Sequence, residues 1–212
     1  MPQNVLPKGY WLPQIDVRNM DGYKTYMAAT PPAHEKYKGV ALVRAGRTEV
    51  VEGQARSRCV IREFPDYATA LACYASDEYQ RARPLRLPHS QCDFVIAEGY
   101  DDPQPAQSGS SSTKKGYWIV HLDVTDAEAY KAYPPALLAH LAKFGARFLV
   151  RGGAREVPEG KVRGRTAVVE FPSFDAAVSC FRSPDYVPVK KLRAGSADID
   201  LVIVEGYDGP KF

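Results

Sequence analysis

Cysteine, net charge and long apolar runs are all in short supply in this chain. Its 212 residues hold four cysteines, Cys59, Cys73, Cys92 and Cys180. None forms a CxxC pair or stands near histidine at zinc-ligand spacing, so neither a disulfide framework nor a structural zinc site is predicted. They read as small buried hydrophobes in a reducing compartment, which predicts a cytoplasmic location. No apolar run approaches the ~20 residues that a membrane helix needs. The N-terminal MPQNVLPKGYW lacks the basic and apolar regions of a secretion signal. A net charge of +3, with the basic residues scattered, argues against nucleic-acid binding. No GxGxxG, Walker or GxSxG sequence occurs. The histidines His34, His89, His121 and His140 show no mutual ligand spacing, so no metal and no other cofactor is expected. A haem would need an axial imidazole, for which His140 is a poor candidate.

What the chain does have is a repeat. Lys8 to Asp16, KGYWLPQID, returns as Lys115 to Asp123, KGYWIVHLD, at an offset of 107 residues. The offset then holds without a gap. Arg44 falls on Arg151, Arg58 on Arg165, Glu63-Phe64-Pro65 on Glu170-Phe171-Pro172, and Cys73 on Cys180. Two copies are too few for a solenoid, so the repeat marks a duplicated domain. The predicted division is residues 8–103, a flexible Pro/Ser/Gly-rich linker at 104–114, and residues 115–210.

Within each copy the pattern reads β-α-β-β-α-β. In Gly116 to Val124, Trp118, Val120, Leu122 and Val124 share one face; Tyr117, Ile119, His121 and Asp123 share the other. Asn19 and Thr125 are expected N-caps of the helices that follow, Met20 to Tyr37 and Asp126 to Phe144. Pro31-Pro32 and Pro134-Pro135 should break these helices at non-equivalent places. Short strands Val40–Ala45 and Arg147–Arg151, strands Arg56–Phe64 and Arg163–Phe171, helices capped by Asp66 and Ser173, and final strands Asp93–Glu98 and Asp200–Glu205 complete the units. The fold class is therefore α+β, with two ferredoxin-like domains in one chain. A sheet with helices on one face needs a cover on the other, and the second copy's sheet supplies it. The expected product is an intramolecular pseudo-dimeric α+β barrel, itself either a monomer or part of a further homodimer.

The stretches GYWIVHLDVTDAEAYKAY, RFLVRGG, VVEFPSFDAA, SPDY and VIVEGY resemble DUF1330, a family of small bacterial proteins of unknown function in the dimeric α+β barrel superfamily. The first copy keeps GYW, DGYKTY, VRAG, REFPDY and VIAEGY. The resemblance implies one domain per homodimer half, here fused. The superfamily includes cofactor-free monooxygenases, lactone isomerases, polyketide cyclases and haem enzymes, and fold alone does not choose among them. One departure is that Cys73 and Cys180 stand where the family tends to carry an aromatic.

The candidate chemistry sits on the first strand of each copy. His121 lies two residues from Asp123, on the same face, where a carboxylate would raise the imidazole pKa toward that of a general base. The first copy has Gln14 and Asp16 there, so the half-sites are unequal. Arg44 and Arg151 are candidates to hold an anionic substrate, and Tyr10 and Tyr117 to line its pocket. The alternative for His121 is a hydrogen-bonded strand residue, and for the arginines structural ion pairing. Tyr23, Tyr26, Tyr130 and Tyr133 are expected to be packing residues. Two functions fit. One is a cofactor-independent enzyme of isomerase, cyclase or monooxygenase type, acting on a small anionic or aromatic metabolite. The other is a non-catalytic binding or structural module.

Overall fold

The computed structural model of the chain describes residues 6–104 and 114–210. The first half runs β1 (Gly9–Val17), α1 (Met20–Ala29), α2 (Pro31–Lys36), β2 (Val40–Arg44), β3 (Thr48–Glu52), β4 (Arg58–Phe64), α3 (Tyr67–Ala75), α4 (Asp77–Ala82) and β5 (Ser90–Glu98). The second half repeats it as β6 (Gly116–Val124), α5 (Ala127–Tyr130), α6 (Tyr133–Ala142), β7 (Arg147–Arg151), β8 (Arg155–Glu159), β9 (Arg165–Phe171), α7 (Phe174–Arg182), α8 (Tyr186–Lys191) and β10 (Ala197–Glu205). Most of the stretch expected as a linker, 105–113, lies outside the described residues. No helix among the described residues is long and apolar enough to cross a membrane.

The prolines divide each first helix by opening a new one, as a residue without a backbone donor can at a helix N-terminus. Pro31 starts α2, and Pro134 sits in the first turn of α6. Because Pro31 aligns with Leu138, the break falls about a turn earlier in the second half. Asn19 caps α1 as expected, accepting from the Asp21 and Gly22 amides. In the second half the cap is Asp126, which accepts from the Glu128 and Ala129 amides, rather than Thr125. The carboxylate one position later is the group that reaches those donors.

Two short strands were not expected from sequence, and they decide the architecture. The first sheet is ordered β2-β4-β1-β5-β8 and the second β3-β10-β6-β9-β7. Each half thus lends one edge strand to the other's sheet: β3 lies antiparallel to β10, and β8 antiparallel to β5. TEVVE and REVPE are too short and too charged to announce themselves as strands, and Pro158 is tolerated because β8 is an edge.

The alternation on β1 and β6 sorts two kinds of core. Trp11, Ile15 and Phe94 pack with the first-half helices, and Trp118, Phe171 and Leu201 with the second-half helices. Each strand tryptophan is tied to its helix by an indole hydrogen bond, Trp11 Nε1 to the Ala70 carbonyl (2.9 Å) and Trp118 Nε1 to the Ala177 carbonyl (3.0 Å). Between the sheets, Tyr10, Leu12, Val43 and Val95 of one half meet Tyr117, Ile119, Val168 and Val204 of the other in one buried cluster. The expected sheet-to-sheet packing is therefore present, and the space between the sheets is filled by side chains.

Candidate functional site

Besides a polar cavity at one end of the barrel and one of about 400 Å³ beside Tyr100 and Leu138, open space lies between each sheet and its helices. In the second half a cavity of about 270 Å³ is walled by Trp118, Val120 and Leu122 of β6, Ala167 and Val169 of β9, and Tyr130, Tyr133, Pro134 and Leu137 of α5 and α6. The same place in the first half holds only about 70 Å³. The repeat explains the difference residue by residue. Val60, Arg62 and Phe94 stand where the second half has Ala167, Val169 and Leu201, and each is the larger. Arg62 is buried there, with Nη1 2.5 Å from the Gly39 carbonyl oxygen. The earlier helix break also brings Pro134 and Leu137 over the second sheet, where the first half has Met27 and Thr30.

The second-half cavity is apolar along most of its walls and carries three arginines, Arg151, Arg165 and Arg193. Arg165 is exposed at its rim and has no hydrogen-bond or ion-pair partner among the described residues. Arg193 is buried, packs 5.3 Å from the Tyr133 ring and pairs with Glu52 of the first half at 2.6 Å. Tyr133 and Tyr186 share a hydroxyl hydrogen bond of 2.9 Å. Burial, reinforced by a tyrosine neighbour, pushes Tyr130 up to about 12 and raises Tyr133 as well. Both phenols are thus neutral hydrogen-bond donors at ordinary pH. Among the described residues, no carboxylate, histidine, cysteine or lysine belongs to this wall. The cavity can hold an apolar body and stabilise negative charge, but it offers no side-chain base.

The residues singled out from sequence are dispersed by the fold. His121 faces inward as expected, but Asp123 does not join it. Asp123 Oδ1 accepts from the Gly164 amide (2.6 Å), and its Oδ2 lies 3.4 Å from Arg163 Nη1. His121 Nδ1 instead lies 3.1 Å from Thr166 Oγ1, which also accepts from Arg155 Nη1 at 3.0 Å. Burial, with the Arg155 charge, pulls His121 down to about 4, the opposite of the rise a paired carboxylate would cause. His121, Gln14 and Asp16 do border a polar cavity of about 280 Å³ at one end of the barrel, with Arg56, Asp93, Lys161 and Asp200. Its carboxylates are committed to clamps that repeat across the halves, Arg56 on Asp16 and Asp93, and Arg163 on Asp123 and Asp200.

Tyr10 and Tyr117 belong to the inter-sheet core and donate to Glu63 and Glu170, at 3.0 and 3.2 Å. Neither borders either sheet–helix cavity. Arg44 borders the small first-half cavity and lies 5.7 Å from the Tyr207 ring. Arg151 borders the second-half one, and its Nη1 donates to Tyr100 Oη at 3.1 Å. Tyr130 and Tyr133, read from sequence as packing residues, are cavity wall. Arg193 was not singled out, although its match with Arg86 across the repeat was there to be found.

Two five-stranded sheets packed face to face, each with its helices outside and a strand from the other half at its edge, define a dimeric α+β barrel within one chain. The chain belongs to the DUF1330 family, a domain of unknown function, which matches residues 8–100 and 115–207. No curated protein matches it in sequence. Among solved structures it resembles a mutant chlorite dismutase from Candidatus Nitrospira defluvii in complex with cyanide, at 11% identity and TM-score 0.55 over 92% of this chain and 90% of that one. A candidate monooxygenase from Fusobacterium nucleatum gives 10% and 0.53, covering 99% of each chain. An anthrone oxidase-like protein gives 11% and 0.51, covering 97% of this chain and 95% of that one. At such identities the likeness is one of fold.

Among the described residues the second-half cavity wall holds no histidine, cysteine or methionine, and its tyrosines are held as neutral phenols, so the residues present do not fit a haem. His140 is engaged elsewhere, with Nε2 3.0 Å from the Cys180 carbonyl oxygen and its ring stacked on Tyr186.

Proposed function

We propose that the second half binds a small aromatic or otherwise apolar acid in the cavity between its sheet and α5–α6, and that the first half serves mainly as its structural complement. The observation that carries this is the contrast between two cavities built from one repeated sequence. The second has the smaller residue at Ala167, Val169 and Leu201, and at its mouth Arg165, an arginine with no counter-ion among the described residues. A volume just below the ~300 Å³ at which typical ligand sites begin suits a small metabolite. The expected anionic or aromatic ligand is retained; its place moves from the barrel interior to the sheet–helix space.

The enzymatic reading also changes form. With no side-chain base in the wall, a cofactor-independent isomerase, cyclase or monooxygenase reaction in this cavity would depend on hydrogen bonds from the tyrosine hydroxyls and the Glu52-paired Arg193 to a carbonyl or phenol oxygen of the ligand. Proton transfer between His121 and Asp123 has no support from their positions. Binding is the broader function, and the catalytic step is a refinement of it.

The test is calorimetric titration of 2-naphthoate into the wild type, Ala167→Phe and Arg165→Gln. Ala167→Phe fills the cavity and should abolish binding. Arg165→Gln alters only an exposed side chain and should weaken binding by about 1–3 kcal/mol, the scale of a hydrogen bond to a charged group. Binding that survives Ala167→Phe unchanged would place the ligand elsewhere.

A further inference from the structure

Glu52 joins the second-half cavity to the other half of the molecule. It ends β3, the strand that the first half lends to the second sheet, and both its carboxylate oxygens accept from Arg193 Nη2, at 2.6 and 2.8 Å. Arg193 is 7% exposed and borders the cavity, and its Nε has no hydrogen-bond partner among the described residues. The repeat provides an internal comparison. Glu159 ends β8 and pairs with Arg86, whose Nε is likewise without a partner. Arg86 is not part of the first-half cavity wall, which Arg62 and Phe94 occupy. The clasp is thus built twice, and only in the second half does a cavity open beside it.

We propose that Glu52, contributed by the first half, sets the ligand specificity of the second-half cavity by neutralising Arg193. The inner end then offers a hydrogen-bond donor without net charge, while Arg165 at the mouth and Arg151, whose Nη1 donates to Tyr100 Oη, keep theirs. This rests on the cavity being the ligand site. The ligand class that follows is an aromatic monoacid carrying a carbonyl or phenol oxygen at its buried end. A second carboxylate at that end would be stripped of water, would meet a guanidinium already paired, and would lie close to Glu52. The binding site of one half is therefore incomplete without a residue of the other.

Two probes separate the cases: 6-hydroxy-2-naphthoate, with one carboxylate, and naphthalene-2,6-dicarboxylate, with two. Each is titrated into the full-length wild type, E52Q and E159Q, with circular dichroism melts to establish folding. The wild type should prefer the hydroxy acid by about tenfold or more, one Kd decade. E52Q leaves Arg193 uncompensated and should bring the two probes to within about threefold, or reverse them. E159Q makes the same chemical change in the other half and should keep the wild-type ratio. A ratio unmoved by E52Q, or moved equally by E159Q, overturns the proposal. Should E52Q fail to fold, Glu52→Asp draws the carboxylate back by one methylene and should lower the ratio part of the way; an unchanged ratio there also overturns it. If the wild type binds neither probe, or Ala167→Phe leaves both affinities intact, it is the assignment of the cavity that fails, whatever E52Q does.

Discussion

At the scale of single residues, His121 shows how little a sequence neighbour guarantees. Two positions along a strand put His121 and Asp123 on one face, yet side-chain pairing was decided by other strands. Thr166 of β9 took the imidazole, and Arg163 with the Gly164 amide took the carboxylate. The groups around the ring are Thr166, the Arg155 cation, and the more distant Asp93 and Asp200 carboxylates. Its folded pKa of about 4 lies below the ordinary value of 6.5, so between those limits the unfolded chain binds more protons and stability rises with pH. The contribution is complete above the ordinary pKa and is lost as pH falls toward 4, on the order of 3 kcal/mol at its upper limit. His34, pulled down to about 3 by burial, works in the same direction. His121→Gln, which installs the residue of the first copy, is expected to lose less melting temperature than the wild type between pH 7 and pH 4.5. Equal losses in the two proteins would refute a depressed pKa.

At the scale of elements, close approach matters more than propensity. A Cβ on Gly116 would lie 2.3 Å from the Ser173 carbonyl oxygen, and one on Gly9 would lie 2.3 Å from that of Asp66. Each glycine lets the first strand of its half run beneath the turn that opens α7 or α3. Gly116→Ala forces backbone apart and should cost about 2 kcal/mol or more, read as a lower denaturant midpoint at unchanged m. The helices α1, α2, α5 and α6 were legible because proline acts locally. So were the caps at Asn19, Asp66 and Ser173, since a side chain and the amides it accepts from lie within one turn. The strands β3 and β8 were not legible. Their partners, β10 and β5, lie in the opposite half, and nothing within five residues of TEVVE or REVPE records that pairing.

At the scale of the whole molecule, exchanged strands and a shared core make the halves one folding unit. Each sheet is completed by a strand of the other half, and the clasps Glu52–Arg193 and Glu159–Arg86 are buried between them. Separating the halves would expose the inter-sheet cluster and leave both arginines without their carboxylates. Unfolding should therefore be one cooperative transition, with calorimetric and van't Hoff enthalpies equal. Two resolved transitions would show the halves to be independent. Duplication within a single chain also frees the two copies to diverge, which a homodimer cannot do. The contrast between Ala167, Val169 and Leu201 and their counterparts Val60, Arg62 and Phe94 is that divergence expressed as volume.

The offset of 107 residues, the strand alternation and the turn and cap signals were enough for the sequence alone to determine the duplication, the β-α-β-β-α-β frame and the packing of one copy's sheet on the other's. Each is a local or periodic property, written into neighbouring residues. Tertiary structure alone decided where the open space lies and which side chains surround it. Volume is a difference between large filled and unfilled totals, so Arg62 and Phe94 closing one cavity while Val169 and Leu201 leave the other open is visible only once four separate segments are brought together. Glu52 and Arg193 are 141 residues apart, and only the crossing of β3 into the second sheet makes them neighbours.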